Sequence, residues 1–314
     1  MPPGAVHEAL RFLVGGSRRD VQTAIRAEAY ERMVDQCGGR YRLWRARRGV
    51  SCVAVSLVVA SAGRVGMVFH SPPGAPGVQG DCLAPVVAAA AGQGLADNLA
   101  FVQSLVVPGR QADVDVLVSA GFGRLAELVY MRLELARWLA EASDSPPCRW
   151  RDAHRFDERE LAEVIRRTYE ESLDCPALCG LRELKDVIDG HKASGVFSPT
   201  SWWIAEVQGR PAGCILVNES LVSDGDVEIV YMGVVREFRG QGVGRAMVRR
   251  AASWAREAGR AFVNVAVDDR NVYAKNVYER EGFREIDRRL AYLLTPCSAG
   301  RRRGSEGDSG PECE

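Results

Sequence analysis

The chain lacks an excess of either charge, since its 41 lysine and arginine residues equal its 41 aspartate and glutamate residues. No overall field would draw it to nucleic acid or to an anionic membrane, so we expect neither partner. The chain also lacks a long uninterrupted apolar run, because the longest stretch, 50–69, contains serine, glycine and Arg64. This stretch predicts two strands around a turn and excludes a membrane-spanning helix.

Three further features are missing. Nine cysteines scattered over 314 residues do not form a disulfide framework, and they fit reduced thiols in a cytoplasmic protein. The start, Met1-Pro2-Pro3-Gly4, has no basic segment before an apolar run, so no secretory signal is expected. Cys175 and Cys179 have no second pair or suitably spaced histidine, which argues against a zinc site, and we expect no metal. His154 and His191 stand alone in polar surroundings and are expected at the surface.

The length and the composition, 46% hydrophobic and 26% charged, predict a globular protein of two α/β domains. We place the first domain at 1–140 and the second at 154–295. A linker at 141–153 surrounds Pro146-Pro147, and a tail at 296–314, poor in apolar residues, is expected to be disordered. In the second domain, periodicity predicts helices and strands. The helices are at 158–171, 181–191, 242–258 and 271–281, and the strands at 202–207, 212–219, 226–235, 261–267 and 284–294.

The two halves match each other at the end of each domain. Ala100-Phe101-Val102 corresponds to Ala261-Phe262-Val263, and the interval from Phe101 to Gly121 equals that from Phe262 to Gly282. Leucine-rich predicted strands follow in both halves. This match indicates an internal duplication, and chance similarity of two α/β segments is the alternative.

A glycine-containing turn, Arg239-Gly240-Gln241-Gly242-Val243-Gly244, joins a predicted strand to a predicted helix. Unpaired amides at a helix start bind anions, the small glycines allow close approach, and Arg239 and Arg245 could reach phosphate oxygens. The sequence is not a P-loop, because Arg245-Ala246 follows Gly244, and it is not the dinucleotide motif, because position 245 is not glycine. A nicotinamide-dependent function is therefore disfavoured. A tight connection without a ligand remains the alternative for the turn alone.

Residues 228–244, together with Asn271, Ala274, Tyr278 and Gly282-Phe283, resemble the GCN5-related N-acetyltransferase (GNAT) superfamily. The resemblance covers roughly 150–295. It implies two tandem GNAT-like domains, each a mixed, mostly antiparallel twisted sheet flanked by helices, in a layout similar to the mycothiol synthase family. It also implies an acyl-CoA-dependent N-acyltransferase that uses acetyl-CoA as co-substrate and acts on a small-molecule or peptide amine. A non-catalytic acyl-CoA-binding or protein-interaction module is the alternative.

The resemblance also implies residue roles. Glu228 would be the general base, unless it is only a solvated edge carboxylate, and strand alternation places it on the face of Val230, Met232 and Val234. Tyr278 would protonate the leaving thiolate, unless it is an ordinary core tyrosine. Some family members carry an acidic base at the position of Ala266, so its absence favours Glu228 or a water relay.

The cofactor contacts implied by the resemblance lie on the strand, the turn and the second helix start. Backbone groups of Met232, Gly233 and Val234 would pair with the pantetheine arm, and the turn would hold the pyrophosphate. Asn271 would contact the cofactor and would also cap its helix. The expected cofactor-binding residues are Met232, Gly233, Val234, Arg239, Gly240, Gln241, Gly242, Val243, Gly244, Arg245 and Asn271.

The first half lacks the corresponding groups. Arg110 occupies the asparagine position and Leu117 the tyrosine position, and 74–85 contains no RxxGxG turn. The first half therefore resembles the degenerate half of tandem GNAT proteins, and an unrelated α/β domain is the alternative. One active site per chain is expected.

Overall fold

The structure, a computed structural model, describes residues 3–139, 148–221 and 223–296. The predicted tail lies outside the described residues from 297 onwards, as does most of the predicted linker. The chain divides into two compact units, one formed by 1–125 with 290–314 and one by 126–289.

Among the described residues, the first unit contains four α-helices and four complete strands. They are α1 (Pro3–Gly15), α2 (Val21–Gln36), β1 (Tyr41–Arg48), β2 (Ser51–Ser61), β3 (Val65–His70), α3 (Gly80–Ala96), β4 (Phe101–Val106) and α4 (Gln111–Ser119). The next strand, β5 (Gly123–Glu134), begins in this unit and continues into the second.

The described part of the second unit contains four α-helices and five further complete strands. They are β6 (Arg149–Asp152), α5 (Glu158–Thr168), α6 (Leu184–Ala193), β7 (Trp202–Val207), β8 (Arg210–Glu219), β9 (Asp226–Val234), α7 (Val243–Glu257), β10 (Phe262–Asp268) and α8 (Val272–Arg280). The last strand, β11 (Arg284–Leu294), begins in the second unit and ends in the first. The domain limits predicted from the sequence assign β5 to the first half and β11 to the second. In the structure, each of these two strands is divided between the two units.

Both units have a mixed, mostly antiparallel sheet, as predicted. The strand order is β1-β2-β3-β4-β11 in the first unit and β5-β10-β9-β8-β7-β6 in the second. One neighbouring pair in each order is parallel, β3 with β4 and β9 with β10. A helix, α3 or α7, connects the two strands of each parallel pair, because parallel neighbours require a crossover connection.

The duplication inferred from the sequence extends over a longer segment than the sequence match. Each strand and helix from β3 to β5 has a counterpart between β9 and β11. In every such pair, the first or the last residues of the two elements are the same number of residues apart along the sequence. The helices α4 and α8 begin after residues with nearly the same backbone angles, φ −85° and ψ 63° at Arg110 and φ −82° and ψ 68° at Asn271. The two halves therefore share one order of elements.

One strand was not predicted. β6 lies within the stretch assigned to the linker and pairs with β7 in antiparallel orientation. The sequence did not indicate this strand because its residues are mostly polar. Arg151 is nevertheless largely buried, since it forms ion pairs with Glu160 and Glu206. Trp150 packs against the core of the second unit.

Candidate functional site

A small cavity lies where β9 and β10 separate. Parallel pairing covers Asp226–Ile229 and Phe262–Val265 and then stops, although both strands continue. The cavity has a volume of about 60 Å³. It is lined by Asp174, Ile229, Val230, Tyr231, Met232, Val265, Ala266, Val267, Asn271, Ala274 and Tyr278. A larger cavity of about 260 Å³ in the first unit contains none of the predicted site residues.

A β-bulge at Val230 changes the faces of β9. Glu228 pairs with Asn218 of β8, but beyond the bulge Met232 pairs with Ile215. Cross-strand partners share a face, and Asn218 and Ile215 lie an odd number of residues apart on β8, so Glu228 and Met232 lie on opposite faces. The prediction that Glu228 shares a face with Met232 and Val234 is therefore wrong. The extra residue reverses the alternation on which it relied.

Glu228 lies on an interior strand, between β8 and β10, and is half-buried. The alternative of a solvated edge carboxylate therefore does not hold. Burial raises the pKa of this carboxyl above its ordinary value. No hydrogen bond or ion pair to the Glu228 side chain is formed within 3–139, 148–221 and 223–296. Glu228 does not itself line the cavity.

Tyr278 lines the cavity from α8 and is only 4% exposed. Burial, followed by the negative charge of Asp174, raises its pKa well above the ordinary value of a phenol. The hydroxyl group therefore keeps its proton throughout the neutral range. Asn271 begins the same helix, and its Oδ1 accepts a hydrogen bond from the Ala274 amide at 3.2 Å, which confirms the predicted cap. Asn271 and Tyr278 line the same cavity, as their helical spacing indicates.

The glycine turn leads directly into α7. Gly240 and Gly242 have φ of 74° and 81°, a region in which side chains are strained, and Gly242 is the N-cap residue. Gly244 has no such requirement, because an added Cβ would be 3.7 Å from Val234 and 3.8 Å from Val277. The first amides of α7 lack partners within the helix by its geometry. The cofactor contacts of 240–244 remain a prediction that this geometry accommodates.

The two arginines of the motif are directed to groups of the protein. Arg239 donates hydrogen bonds to the carbonyl oxygens of Thr168, Glu170, Glu171 and Val234, at 2.7 to 3.2 Å. Its guanidinium thereby fixes the end of α5 to the end of β9. The predicted phosphate contact through the Arg239 side chain stays a prediction, and its observed contacts are structural.

Arg245 and Arg249 of α7 pair with Glu281, which follows α8 and has a side chain only 2% exposed. The Arg249 Nε lies 2.8 Å from the carboxylate. Arg245 thus joins the helix of the glycine turn to the helix of Tyr278. Its predicted phosphate contact is not tested by this geometry.

Tyr231 and Gly233 connect β9 to α5. The Tyr231 hydroxyl forms a hydrogen bond of 2.5 Å with Thr168 Oγ1, and an added Cβ at Gly233 would lie 2.6 Å from the Thr168 side chain. Tyr231 and Asp174 also line the cavity, although neither was predicted as a site residue. Tyr231 could have been noticed within the family-like strand. Asp174 lies in a loop without any sequence pattern.

His191 differs from its predicted environment. It is half-buried, its ring lies 5.2 Å from that of Tyr231, and its Nε2 is inaccessible to solvent. Burial, and then the charge of Arg182, lowers its pKa to about 4. The surface prediction is therefore wrong for His191, because its helix packs against the sheet, whereas His154 is exposed as predicted.

No group of three histidine, cysteine, aspartate or glutamate side chains within the described residues could hold a metal ion. No described helix is both long and apolar enough to cross a membrane.

Part of the chain is similar in sequence to known acetyltransferases. Residues 165–283 match the acetyltransferase (GNAT) family. The probable N-acetyltransferase camello of Xenopus tropicalis is 27% identical over 103 residues, which are 32% of this chain and 46% of the relative. The mycothiol acetyltransferase of Propionibacterium freudenreichii is 28% identical over 109 residues, 35% of this chain and 30% of the relative. The matches thus span less than half of either relative.

One solved structure has the same fold over most of the chain. A GCN5-related N-acetyltransferase from Sphaerobacter thermophilus superposes with a TM-score of 0.55 and 17% identity. The alignment covers 78% of this chain and 77% of that protein. At this identity the similarity establishes the fold alone.

Proposed function

Because residues 165–283 match the acetyltransferase (GNAT) family, we propose that this chain transfers an acetyl group from acetyl-CoA to a primary amine of a small molecule or peptide. The observation that carries the proposal is the cavity between the separating ends of β9 and β10, with Tyr278 on its wall. The amine would attack the thioester directly, without an acyl-enzyme intermediate.

The residues present fit acetyl-CoA. Beyond Ile229, β9 pairs with β8 but has no partner on its β10 side among the described residues. A strand paired on one side only can bind an amide-bearing chain along its free side, as the pantetheine arm would require. The backbone of Met232, Gly233 and Val234 would contact this arm. The start of α7 would bind the pyrophosphate. Packing within the protein does not require glycine at 244, and the absence of a side chain there would let the pyrophosphate approach the helix start.

The proposed reaction transfers the acetyl group directly from sulfur to nitrogen. The amine nitrogen attacks the carbonyl carbon, the new carbon–nitrogen bond forms, and the carbon–sulfur bond breaks. Glu228 accepts a proton from the nitrogen through a water molecule, because its carboxylate is not on the cavity wall. The thiolate takes the phenol proton of Tyr278, which is later replaced from solvent. Burial of Glu228 favours this role, since a base works best when its pKa lies near the operating pH.

We propose further that only the second half binds acetyl-CoA, with the first half, 1–140, as a degenerate GNAT-like domain. The constant separation places Asp81 at the position of Gly242 and Leu83 at that of Gly244. Leu83 is fully buried, and Asp81 adds a negative charge to the first turn of α3. A side chain and a like charge both oppose phosphate binding there. Calorimetry with acetyl-CoA should therefore give one site per chain.

The test of the catalytic proposal combines binding with turnover. Calorimetry should detect acetyl-CoA binding, and a thiol assay should detect CoA release that depends on an added amine. Tyr278→Phe should leave binding and thermal stability unchanged and lower kcat by about 10- to 100-fold, the lower range for general acid–base catalysis. Binding without CoA release for a broad amine panel would instead favour the non-catalytic acyl-CoA-binding module.

A further inference from the structure

Asp174 presents a carboxylate to the cavity from the loop between α5 and α6. Its Oδ1 accepts a hydrogen bond of 3.0 Å from the backbone amide of Asp268, at the end of β10. The Asp268 carboxylate accepts a hydrogen bond of 3.2 Å from the amide of Cys175. These reciprocal bonds fix the loop to the end of β10, so Asp174 has a defined position on the cavity wall.

The charge of Asp174 is not balanced by the protein around it. Within 3–139, 148–221 and 223–296, its side chain forms no ion pair. The charge of the neighbouring Asp268 is already matched by Arg270, at 2.7 Å. The other groups facing Asp174 carry no positive charge, and they are Tyr169 of α5, Cys175, Tyr231 of β9, Asn271 and Tyr278 of α8.

The surroundings of Asp174 favour a cation that arrives from outside. Asp174 is an exposed residue, but the protein atoms around its carboxyl still raise its pKa by desolvation. A carboxylate in a partly desolvated site is stabilised by a cation at hydrogen-bonding distance. In an enzyme that acylates amines, the cation available to such a cavity is the ammonium form of the acceptor.

Building on the proposed N-acetyltransferase function, we propose that Asp174 binds the ammonium form of an alkylamine acceptor and takes the proton that the nitrogen must lose before it attacks. The nitrogen–hydrogen bond breaks, the proton moves to the Asp174 carboxylate, and the freed lone pair attacks the thioester. The second proton leaves toward Glu228, and Asp174 later returns its proton to solvent. The acceptor class is therefore primary alkylamines, which are cations at neutral pH, in preference to arylamines, which are neutral.

The test compares acceptors that share a ring but differ in charge, benzylamine with aniline and tyramine with 4-aminophenol. The wild type should have the higher kcat/KM for the alkylamine of each pair. In Asp174→Asn, the amide oxygen can still accept the hydrogen bond from Asp268, but the charge is lost. This variant should lose about 10- to 100-fold in kcat/KM for the alkylamines, with a higher KM, and should act on the arylamines as the wild type does.

Two controls separate this role from a structural one. Asp224→Asn removes an exposed carboxylate between β8 and β9 and should leave all four activities unchanged. Calorimetry with acetyl-CoA and thermal denaturation should give wild-type values for Asp174→Asn. A wild-type preference for arylamines, or an equal loss for both acceptor classes in Asp174→Asn, would overturn the role of Asp174 and leave the transferase proposal intact. Binding of acetyl-CoA without transfer to any amine would overturn both.

Discussion

Replacing Gly244 with alanine should move stability and cofactor affinity in opposite directions. The added Cβ would meet Val234 and Val277 at 3.7 and 3.8 Å, which are ordinary van der Waals distances. Gly244 lies in α7, where alanine is favoured over glycine by up to ~1 kcal/mol. For a unit of this size, the ligand-free protein should unfold at a temperature up to ~4 °C higher.

The same methyl group should weaken acetyl-CoA binding if the pyrophosphate lies against the start of α7. Forcing one extra carbon into a close contact costs about 1–3 kcal/mol. The Kd for acetyl-CoA should therefore rise about 5- to 150-fold. Isothermal calorimetry measures this affinity, and differential scanning calorimetry of the ligand-free protein measures the stability.

A matched glycine substitution provides the control. Gly92 lies in α3, and an added Cβ there would have no heavy atom within 4 Å, so Gly92→Ala should raise stability without changing the Kd. An unchanged Kd in Gly244→Ala would show that the cofactor does not approach this residue. A lower unfolding temperature for Gly244→Ala would contradict the expectation that the added methyl group fits beside Val234 and Val277.

Three further substitutions test the site and its supports. Glu228→Gln should lower kcat about 10²- to 10⁴-fold with acetyl-CoA binding retained. Burial raises the Glu228 pKa and the base must be ionised, so the activity of Asp174→Asn, which lacks the other proposed proton acceptor, should fall as pH drops through a value above that of an ordinary glutamate. This limb should be absent from the pH profile of the double variant Asp174→Asn/Glu228→Gln. Glu281→Gln should destabilise the protein by about 3 kcal/mol and lower the unfolding temperature by ~6–12 °C, because Arg249, only 11% exposed, loses its counter-charge; an unchanged temperature would contradict this. Gly233→Ala should cost about 1–3 kcal/mol in urea unfolding, because its Cβ would lie 2.6 Å from the Thr168 side chain, and wild-type stability would refute the clash.

Local patterns predicted the elements around the site closely. The helix expected at 242–258 is observed at Val243–Glu257. Of the apolar residues at helical spacing that predicted it, Val243, Met247 and Ala251 are buried and Trp254 is half-buried. The strand expected at 261–267 is observed at Phe262–Asp268. These boundaries depend on neighbouring residues, such as Asn271 as a cap, and the sequence contains that information directly.

Features that depend on distant residues could not be predicted in the same way. The bulge at Val230 cannot be recognised from the sequence of β9, because the bulge is defined by the pairing of β9 with β8. Asp174 and Asp268 are 94 residues apart in sequence, and only the fold brings their hydrogen bond into the cavity. The burial of His191 likewise follows from the packing of α6 against Tyr231. The shared position of Tyr278 and Asn271 on the cavity wall was therefore predictable from their helical spacing, whereas the position of Asp174 was not.

The helices α4 and α8 begin with nearly the same backbone conformation but with different side-chain contacts. Arg110 and Asn271 have nearly the same φ and ψ, so the duplication fixes the backbone there regardless of the side chain. Asn271 uses its side chain to cap the helix, whereas Arg110 makes no cap and pairs instead with Asp113 at 2.8 Å. At the position of Tyr278, Leu117 is fully buried and has no proton to donate. We therefore propose that the first half shares the fold without the reaction, and that giving it activity would require changes at the turn, the cap and the tyrosine position together.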